Sequence, residues 1–377
     1  MDLKLHNSQA GNGAIRNALV LFIKMGKYKM ILSSLEQIKL SHGSGKGLED
    51  MLQEIVLPEL CPGNCNSMED AYTIKVQDFF QEQPSGKLAF TTDSFVVQPL
   101  EFPGGDIGKL SVCGTVNDLA MMGAIPRLIS VSLIIEEGFS VVQLKRILRS
   151  VYETCQKTDL RIACGDTKVV EKGKADGIFI NTAGIGIVPE GRNISATYAK
   201  PGDVVFMSGG IGLHGIAILA SRKNLHFASQ AISDCAPLHS IVEELLRIRP
   251  DVHTLRDCTR GGCAAVLNEI AKASHVSILL NQEDIPIPDV VQGACSFLGM
   301  DPLGIACEGR FIAILPEQNP LDTAKFLAYL RSFPLTHDCA IIGRVLEKQA
   351  FPVMLKTPIG GTRLVDLPPG ELLPRIC

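Results

Sequence analysis

The last residue of the chain, Cys377, carries the group with the clearest potential for chemistry, a thiol with no polypeptide after it. A terminal thiol can swing away from the fold and enter the active site of another protein. The adjacent α-carboxylate disfavours the thiolate, whereas Arg375 favours it, so the sequence leaves the reactivity open. The pattern predicts either a movable reactive thiol or a frayed end whose last residue is a cysteine.

The residues before this thiol have the composition of a tether. Thr357 to Arg375 contains Gly360-Gly361, Pro368-Pro369-Gly370 and Pro374, which disfavour helix and strand and favour an extended, semi-stiff path. At about 3.3 Å per extended residue, roughly twenty residues can reach about 65 Å. Such a tether would span a folded body of this size.

Four aspartates lie in apolar or glycine-rich surroundings, where an unpaired carboxylate is costly. They are Asp93, Asp118, Asp166 and Asp257. Magnesium bound together with a polyphosphate would account for several of them, because this cation takes oxygen ligands and shares them with phosphates. Taken singly, each could instead be a helix cap or a turn residue.

A glycine-rich loop, His42-Gly43-Ser44-Gly45, is followed by Lys46. Backbone N–H groups, a hydroxyl and a cation together suit phosphate binding, although the spacing is not that of a Walker loop. The alternative is a solvated turn.

A second glycine motif, Gly210 to Gly215, has the GxGxxG spacing of a dinucleotide site, with Asp234 about twenty residues later. The strand that should precede this acidic residue is missing. We therefore interpret the motif as a turn that packs a helix closely on a sheet.

Together these stretches resemble the HypE family of hydrogenase maturation proteins. The matching segments are HGSG (42–45), TTDSFVVQPLEFPGGDIGKLSVCGTVNDLAMMGA (91–124), ACGDTKVVEKGKADGIFINTAGIG (163–186), SGGIGLHGIAI (208–218), TRGG (259–262), LNEIA (267–271) and PRIC (374–377). The resemblance covers roughly residues 38–377, and FPGGDIGKL together with a terminal PRIC is highly specific.

The resemblance implies a two-domain PurM-like fold, related to aminoimidazole ribonucleotide (AIR) synthase. Its N-terminal α+β domain dimerises through its sheet, its C-terminal domain is α/β, and ATP lies between the domains. The implied activity is that of a carbamoyl dehydratase, which makes the cyanide ligands of nickel-iron hydrogenase. HypF loads a carbamoyl group on the terminal cysteine, ATP activates its oxygen as a phosphate leaving group, and the resulting cyano group passes to iron on HypC and HypD.

The resemblance also implies roles for numbered residues. Cys377 carries the carbamoyl group, while a buried Lys168 and Glu308 remove protons from its nitrogen; alternatively, Lys168 binds phosphate and Glu308 only pairs with it. The implied nucleotide-binding residues are His42, Gly43, Ser44, Gly45, Asp93, Asn117, Asp118, Gly165, Asp166, Thr167 and Asp257. The implied magnesium ligands are Asp70, Asp93, Asp118, Asp166 and Asp257.

The chain departs from the family pattern at three places. Lys46 follows the HGSG segment where relatives have glycine, Cys258 replaces a proline after Asp257, and Glu69-Asp70 replaces paired aspartates. Two rival functions remain at this point: another ATP-using member of the superfamily, such as selenophosphate synthetase or thiamine phosphate kinase, and a non-catalytic carrier that uses Cys377. A nicotinamide-dependent oxidoreductase is a more distant alternative.

The composition of the chain limits the classes of protein to which it can belong. The chain has 377 residues, a net charge of −4, 46% hydrophobic residues and 12 cysteines. The negative charge argues against nucleic acid as the main partner. Scattered cysteines inside apolar runs, such as Cys113 and Cys164, predict buried reduced thiols and a cytoplasmic protein. Cys61 and Cys65 lack the further ligands that a zinc site needs.

The hydrophobic pattern predicts the elements that position these groups. Strands are expected at 88–97, 176–188, 204–207, 276–280, 310–315 and 340–346, and helices at 108–122, after Ser140, and at 262–274 and 321–332. No stretch is long enough to span a membrane.

The predicted domains are an extension (1–36), an ATP-binding and dimerisation domain (37–195), a C-terminal domain (196–350) and a tail (351–377). The extension is basic and unlike the rest, and we interpret it as an artefact of start assignment, with Met30 as an alternative start, or as a transit-like segment.

Overall fold

The structure, a computed structural model, describes residues 37–62, 71–80, 85–223, 225, 230–367, 373 and 375–377. Within these residues, one sheet of four strands lies in the N-terminal half and one of seven strands lies in the C-terminal half. The predicted extension 1–36 and the predicted metal ligand Asp70 lie outside the described residues.

The N-terminal half begins with a 3-10 turn, Leu40–Gly43, and a helix that continues through Leu52–Val56 and Leu57–Leu60. Its elements are α1 (Gly45–Met51), α2 (Val76–Phe80), β1 (Lys87–Phe95), β2 (Glu101–Phe102), β3 (Gly105–Asp106), α3 (Ile107–Met121), β4 (Ile125–Glu136), α4 (Val141–Lys157), β5 (Arg161–Val170) and β6 (Ile178–Val188). The strand order of the sheet is β1-β6-β4-β5, with β4 and β5 parallel and the other pairs antiparallel.

Two helices cover one face of this sheet. The α4 helix is amphipathic and begins at the N-cap Ser140, whose side chain accepts a hydrogen bond from the Gln143 N–H. The α3 helix is buried nearly all round, because it lies between the sheet, α4 and the C-terminal half. Asp118 is therefore held on a helix with little access to water.

The strand register determines which site residues share a face of the sheet. One row runs from Asp93 through Thr182 and Val131 to Gly165 and faces the helices, and the next row runs from Ser94 through Asn181 and Ser132 to Asp166. Neighbouring rows point to opposite faces. We call the face of Asp93 the inner face and that of Asp166 the outer face.

The C-terminal half contains the larger sheet, with the strand order β13-β12-β9-β11-β7-β10-β8. Its elements are β7 (Asp203–Met207), α5 (Leu213–Lys223), α6 (His239–Ile248), β8 (Thr254–Asp257), α7 (Gly262–Ala273), β9 (Ser277–Asn281), α8 (Asp289–Leu298), β10 (Phe311–Pro316), α9 (Pro320–Arg331), β11 (Ala340–Leu346), β12 (Val353–Lys356) and β13 (Thr362–Leu364). The predicted boundary between residues 195 and 196 lies in the segment that connects β6 to β7.

The end of the chain corrects the predicted tether. Residues 353–356 and 362–364 form strands β12 and β13 at the edge of the C-terminal sheet, although the tail was expected to begin at residue 351. The apolar alternation Val353, Leu355 is buried against β9, and this gain outweighs the glycine and proline content that follows. Only the residues after β13 can therefore act as a tail.

The cysteines of the described residues are free thiols, and most are buried as predicted. Cys164 is an exception, since it lies exposed on the outer face of β5. Among the described residues, no helix combines the length and apolar character needed to cross a membrane.

Candidate active site

Three of the four predicted aspartates come together on the inner face. Asp93 lies on β1, Asp118 on α3 and Asp257 at the end of β8. The Thr91 hydroxyl donates to Asp118 Oδ2 at 2.7 Å, and the Ser94 N–H donates to Asp93 Oδ1 at 2.7 Å. We call Asp93, Asp118 and Asp257 the inner acidic group.

Burial and mutual repulsion shift the acidities of this group. Burial raises the pKa of Asp93 and of Asp118, and the charge of Asp93 raises the pKa of Asp118 further. Burial, followed by the charge of Asp118, raises the pKa of Asp257 to about 7, even though Asp257 keeps some contact with solvent. Arg256 and Arg260 partly offset this accumulation of negative charge.

Glu308 extends the group toward the contact between the two halves. Its residue is 2% exposed, and within the described part of the chain its Oε1 atom is buried without a hydrogen-bond partner. Burial raises its pKa well above the ordinary range, and Cys235, Asp257, Asp234 and Asp93 raise it further. Glu308 is therefore a buried carboxyl group within electrostatic range of the inner acidic group.

Asn117 fixes the backbone around Glu308 and so has a positioning role. Its Nδ2 donates to the carbonyl oxygens of Ala236, at 3.1 Å, and Glu308, at 3.4 Å. Its Oδ1 accepts from the Leu238 N–H at 2.7 Å. Because the amide is bonded to backbone on both sides, the contacts of Asn117 tie α3 to the C-terminal half.

Lys168 and Asp166 lie together on the outer face of edge strand β5. Lys168 Nζ lies 2.7 Å from Asp166 Oδ1, and the Lys168 side chain is 63% exposed. The hydrogen bond from Lys168 lowers the pKa of Asp166. Lys168 is thus exposed and not buried as expected. Its pairing with Glu308, which is buried behind the inner face, stays a prediction.

Asp166 and Asp93 cannot bind the same metal ion within one chain. Their strands are the two edges of the four-stranded sheet, about 14 Å apart, and the two side chains point to opposite faces. The sequence could not reveal this separation, because the face of the sheet to which each side chain points depends on the strand register.

The packing of β5 accounts for the two residues that flank Asp166. Thr167 points to the inner face and is buried. A Cβ atom on Gly165 would lie 2.4 Å from the Val131 carbonyl oxygen, so only glycine allows the close approach of β5 to β4.

The HGSG segment lies beside the same strand. A Cβ on Gly43 would lie 3.2 Å from Val169 Cβ. His42 is buried, its Nδ1 accepts from the Lys39 N–H at 3.2 Å, and burial lowers its pKa. Ser44 and Gly45 then lead into α1. The segment is thus a tight turn, and it adjoins the strand that carries Asp166 and Lys168.

The donor set of the inner acidic group suits a cation that is shared with phosphate. The charge of Asp93 raises the pKa of Asp118, and the charges of both raise the pKa of Asp257, and a divalent cation would relieve that repulsion. Among the described residues, no group of three His, Cys, Asp or Glu side chains is close enough to hold a metal by itself. Oxygen atoms of a polyphosphate would have to complete the coordination.

The chain's own C-terminus lies between the two halves. The Val96 N–H donates to the Cys377 carbonyl oxygen at 3.0 Å, and Ile376 is buried in the core cluster that contains Cys235 and Ala306. Cys377 packs against that cluster. Ile376 and Cys377 thus lie in or against the core cluster that contains Cys235, and Cys235 is one of the groups that raise the pKa of Glu308.

Asp234 and Cys235 were not among the predicted site residues. Asp234 entered the sequence analysis only as the acidic residue of a dinucleotide motif, and Cys235 as one of many cysteines. The segment that holds them, Ser233 to Ala236, has no helix or strand pattern, which is the only signal that could have indicated a role as an irregular contact between the halves.

The glycine motif is a packed turn, as interpreted, and its backbone donors are engaged by protein. The N–H of Gly210 donates to Asp338 Oδ2 at 2.8 Å, and that of Gly212 donates to Cys307 Sγ at 3.1 Å. These N–H groups are not directed at a phosphate.

Comparisons with known proteins agree with the two-sheet architecture. The N-terminal domain of AIR synthase related proteins matches residues 68–188, and the C-terminal domain of the same proteins matches residues 200–356. The chain is 41% identical over 343 residues to the carbamoyl dehydratase HypE of Rhodobacter capsulatus, and the match covers 91% of this chain and 98% of the relative.

Two solved structures are also similar to this chain. The hydrogenase maturation protein HypE in complex with ATP is 40% identical, with a TM-score of 0.82, covering 90% of this chain and 99% of that one. A HypE–HypF complex contains a chain that is 42% identical, with a TM-score of 0.72, covering 84% of this chain and 99% of that one.

Proposed function

The chain belongs to the HypE family of AIR synthase related proteins, and on this premise we propose that it dehydrates an S-carbamoyl group on its own Cys377 in an ATP-dependent reaction. The product is an S-cyano group that supplies cyanide for nickel-iron hydrogenase. The family membership predicted from the sequence is confirmed, as is the two-domain AIR synthase-related fold.

The observation that supports this function most directly is that Cys377 is held between the two halves, against the core cluster that contains Cys235, a residue that raises the pKa of the buried Glu308 carboxyl group. A carbamoyl nitrogen must lose its protons, and Glu308 is a carboxyl whose buried Oε1 has no partner in the described residues. A carboxylate with a raised pKa is a stronger base once it is ionised. We assign proton removal to Glu308, with Asp234 and Asn117 fixing its backbone.

The reaction balances with ATP as the second substrate. The carbamoyl oxygen bonds to the γ-phosphorus as ADP leaves. The carbon–oxygen bond then breaks with phosphate as the leaving group, while the nitrogen gives up its protons and forms the triple bond to carbon. Phosphorylation is needed because hydroxide is a poor leaving group from an amide.

The inner acidic group would hold Mg²⁺ together with the ATP phosphates, and the cation would supply neutralisation of phosphate charge. We also propose nucleotide contacts from Thr167, Gly165 and the HGSG segment. Lys168 is poorly suited to act as a base, because its ammonium group is exposed and paired with Asp166.

A homodimer would use the outer face of the N-terminal sheet. Leu88 and Phe90 on β1 are 58% and 67% exposed, and Ile134 on β4 is 43% exposed. All three side chains point to the outer face, and their burial would favour association. In such a dimer Asp166 and Lys168 face the partner's sheet.

We further propose that HypF loads Cys377, since a relative has been solved as a HypE–HypF complex. The HypC–HypD iron scaffold would accept the cyano group, and the reaction would take place in the cytoplasm. Assignment of 37–195 as the ATP-binding and dimerisation domain and of 196–350 as the body of the C-terminal domain is part of the same proposal.

Intact-mass measurement tests the function. Carbamoyl-loaded protein is incubated with and without Mg-ATP, and loss of one water from the adduct is expected only with Mg-ATP. Cys377→Ala should acquire no adduct. Persistence of the carbamoyl adduct in the presence of Mg-ATP would refute the dehydratase and favour a non-catalytic carrier.

A further inference from the structure

We propose that the start of helix α5 at His214 and Gly215, with Ser233 and Arg222, forms a receptor for the chain's own C-terminal Arg375-Ile376-Cys377, and that His214 is the residue that positions the tail. This inference rests on the proposed function only in its purpose, which is to hold Cys377 at the site.

His214 is the centre of this receptor. It is fully buried, its Nε2 lies 2.7 Å from the Ile376 carbonyl oxygen, and its Nδ1 lies 2.8 Å from Ser233 Oγ. A carbonyl oxygen can only accept, so Nε2 must donate and Nδ1 accepts from the Ser233 hydroxyl. Ser233 Oγ in turn accepts from the Cys235 N–H at 3.0 Å, which fixes the hydroxyl direction.

Gly215 borders the Ile376 side chain. A Cβ atom at this position would lie 2.5 Å from Ile305 Cγ2, 3.3 Å from Leu373 Cδ1 and 3.4 Å from Ile376 Cδ1, so glycine is required mainly by Ile305 and also lets the tail approach. The side chain of Ile376 is 3% exposed and packs in the core cluster with Ile218. The last helical glycine of the GxGxxG spacing thus borders an apolar pocket for the tail.

The main chain of the tail is bound from both sides. The Gln98 N–H donates to the Arg375 carbonyl oxygen at 3.3 Å, and the Arg222 guanidinium donates to the same oxygen. Arg375 donates to the Val96 carbonyl oxygen at 3.1 Å and forms an ion pair with Asp176. The receptor therefore recognises three consecutive residues by backbone, by one apolar side chain and by one cation.

These contacts give the end of the glycine motif a role other than nucleotide binding. Gly215, its last glycine, borders Ile376, and His214, which occupies a variable position of the fingerprint, makes the specific hydrogen bond.

Thiol accessibility tests the receptor without ATP or a carbamoyl group. Full-length protein is treated with N-ethylmaleimide, and digestion after Glu371 releases the C-terminal peptide for mass spectrometry. We expect His214→Ala to raise the initial rate of Cys377 alkylation roughly fivefold, the effect of losing one hydrogen bond that holds a closed state. His214→Gln should stay near the wild-type rate, because its amide N–H can donate to the Ile376 carbonyl.

Other positions supply the controls. Exposed Cys164 should react at the same rate in every variant, and exposed His275→Ala should leave Cys377 unaffected. Ile376→Ala repeats the test from the tail side, without altering the receptor, and should also raise the Cys377 rate.

Two results would overturn the receptor. One is an unchanged Cys377 rate in both His214→Ala and Ile376→Ala. The other is an equal gain at Cys377 and at buried Cys155, since general loosening of the fold would then be the cause. Either result together with ATP-dependent water loss would refute the receptor and leave the dehydratase intact, so the two proposals fail separately.

Discussion

The backbone N–H of Glu308 donates a hydrogen bond to Oδ1 of Asp234, 3.2 Å away, so the charge of one carboxylate sits beside the backbone of the other. Asp234 orients the residue and also contributes to the raised pKa of Glu308. Removal of the Asp234 charge should consequently lower the pKa of Glu308. In Asp234→Asn the pH profile of single-turnover dehydration should move to lower pH.

The direction of this profile follows from the role of Glu308. A proton acceptor works only when ionised, and burial raises the pKa of the Glu308 carboxyl well above its ordinary value. The wild-type rate should therefore rise with pH through the titration of Glu308. A rate that falls as the pH rises would contradict this assignment.

Glu308→Gln should load normally and dehydrate slowly. The amide preserves the size of the side chain and removes the base, so we expect a fall of about 100-fold or more in the single-turnover rate. Intact-mass time courses after mixing with Mg-ATP measure it. The matched control is exposed Glu283→Gln, which should retain the wild-type rate.

Asp257→Asn should stabilise the protein above neutral pH. The pKa of Asp257 is raised to about 7 in the folded state, so the folded protein favours the neutral carboxyl group. The stabilisation that this gives is fully present below about pH 4, the ordinary pKa of aspartate, and is lost as the pH rises through about 7. Asparagine avoids the cost of the charge. Because Asp257 retains some solvent contact, we expect a gain of about 1 to 3 kcal/mol in the free energy of unfolding at pH 8 that shrinks toward pH 4.

Denaturant unfolding at several pH values measures this gain, and Asp166→Asn is the control. The pKa of Asp166 is lowered by Lys168, so any stabilisation from the ionised Asp166 is present above the ordinary pKa of aspartate. The contribution of Asp166 to the free energy of unfolding should therefore change little between pH 5 and 8. A constant difference between wild type and Asp257→Asn across that interval would argue against a buried, repelled carboxylate at residue 257.

Magnesium should relieve the same repulsion. With a non-hydrolysable ATP analogue, Mg²⁺ should raise the melting temperature of the wild type at pH 8, and chelation should remove the increase. Asp118→Asn should show a much smaller increase, because it lacks one of the proposed shared ligands. Equal increases in the two proteins would exclude Asp118 from the cation site.

Phe90→Lys should weaken the proposed homodimer. Phe90 is 67% exposed on the outer face, and a cation there would have to be desolvated on association. Sedimentation equilibrium should show a monomer in the variant and a dimer in the wild type. Phe297→Lys is the control, because Phe297 is 77% exposed on α8, away from that sheet.

Much of the fold could be predicted from local pattern. The predicted helix after Ser140 and strands near 88–97, 176–188 and 340–346 are confirmed to within a few residues, because hydrophobic periodicity and capping are local signals. Strands β12 and β13 were missed, since they are short and gain their stability from pairing with distant β9.

The site was predictable in its residue types and less so in its geometry. Asp93, Asp118 and Asp257 could be grouped by their apolar flanks, whereas the placement of Asp166 and Lys168 on the other face depends on register along β4 and β5. The docked position of the chain end could not be predicted from the sequence either, because it depends on hydrogen bonds to His214 and Val96, which are far away in sequence.

The last two residues also fasten the two halves of the molecule to each other. The Cys377 carbonyl oxygen is bound by Val96 of the N-terminal half, and the Ile376 carbonyl oxygen is bound by His214 of the C-terminal half. When the tail leaves, the two halves therefore lose these two hydrogen bonds, and the site loses the thiol. The stiffness of the contact between the two halves should therefore change with the position of the tail, which couples that contact to the loading of the chain's own substrate.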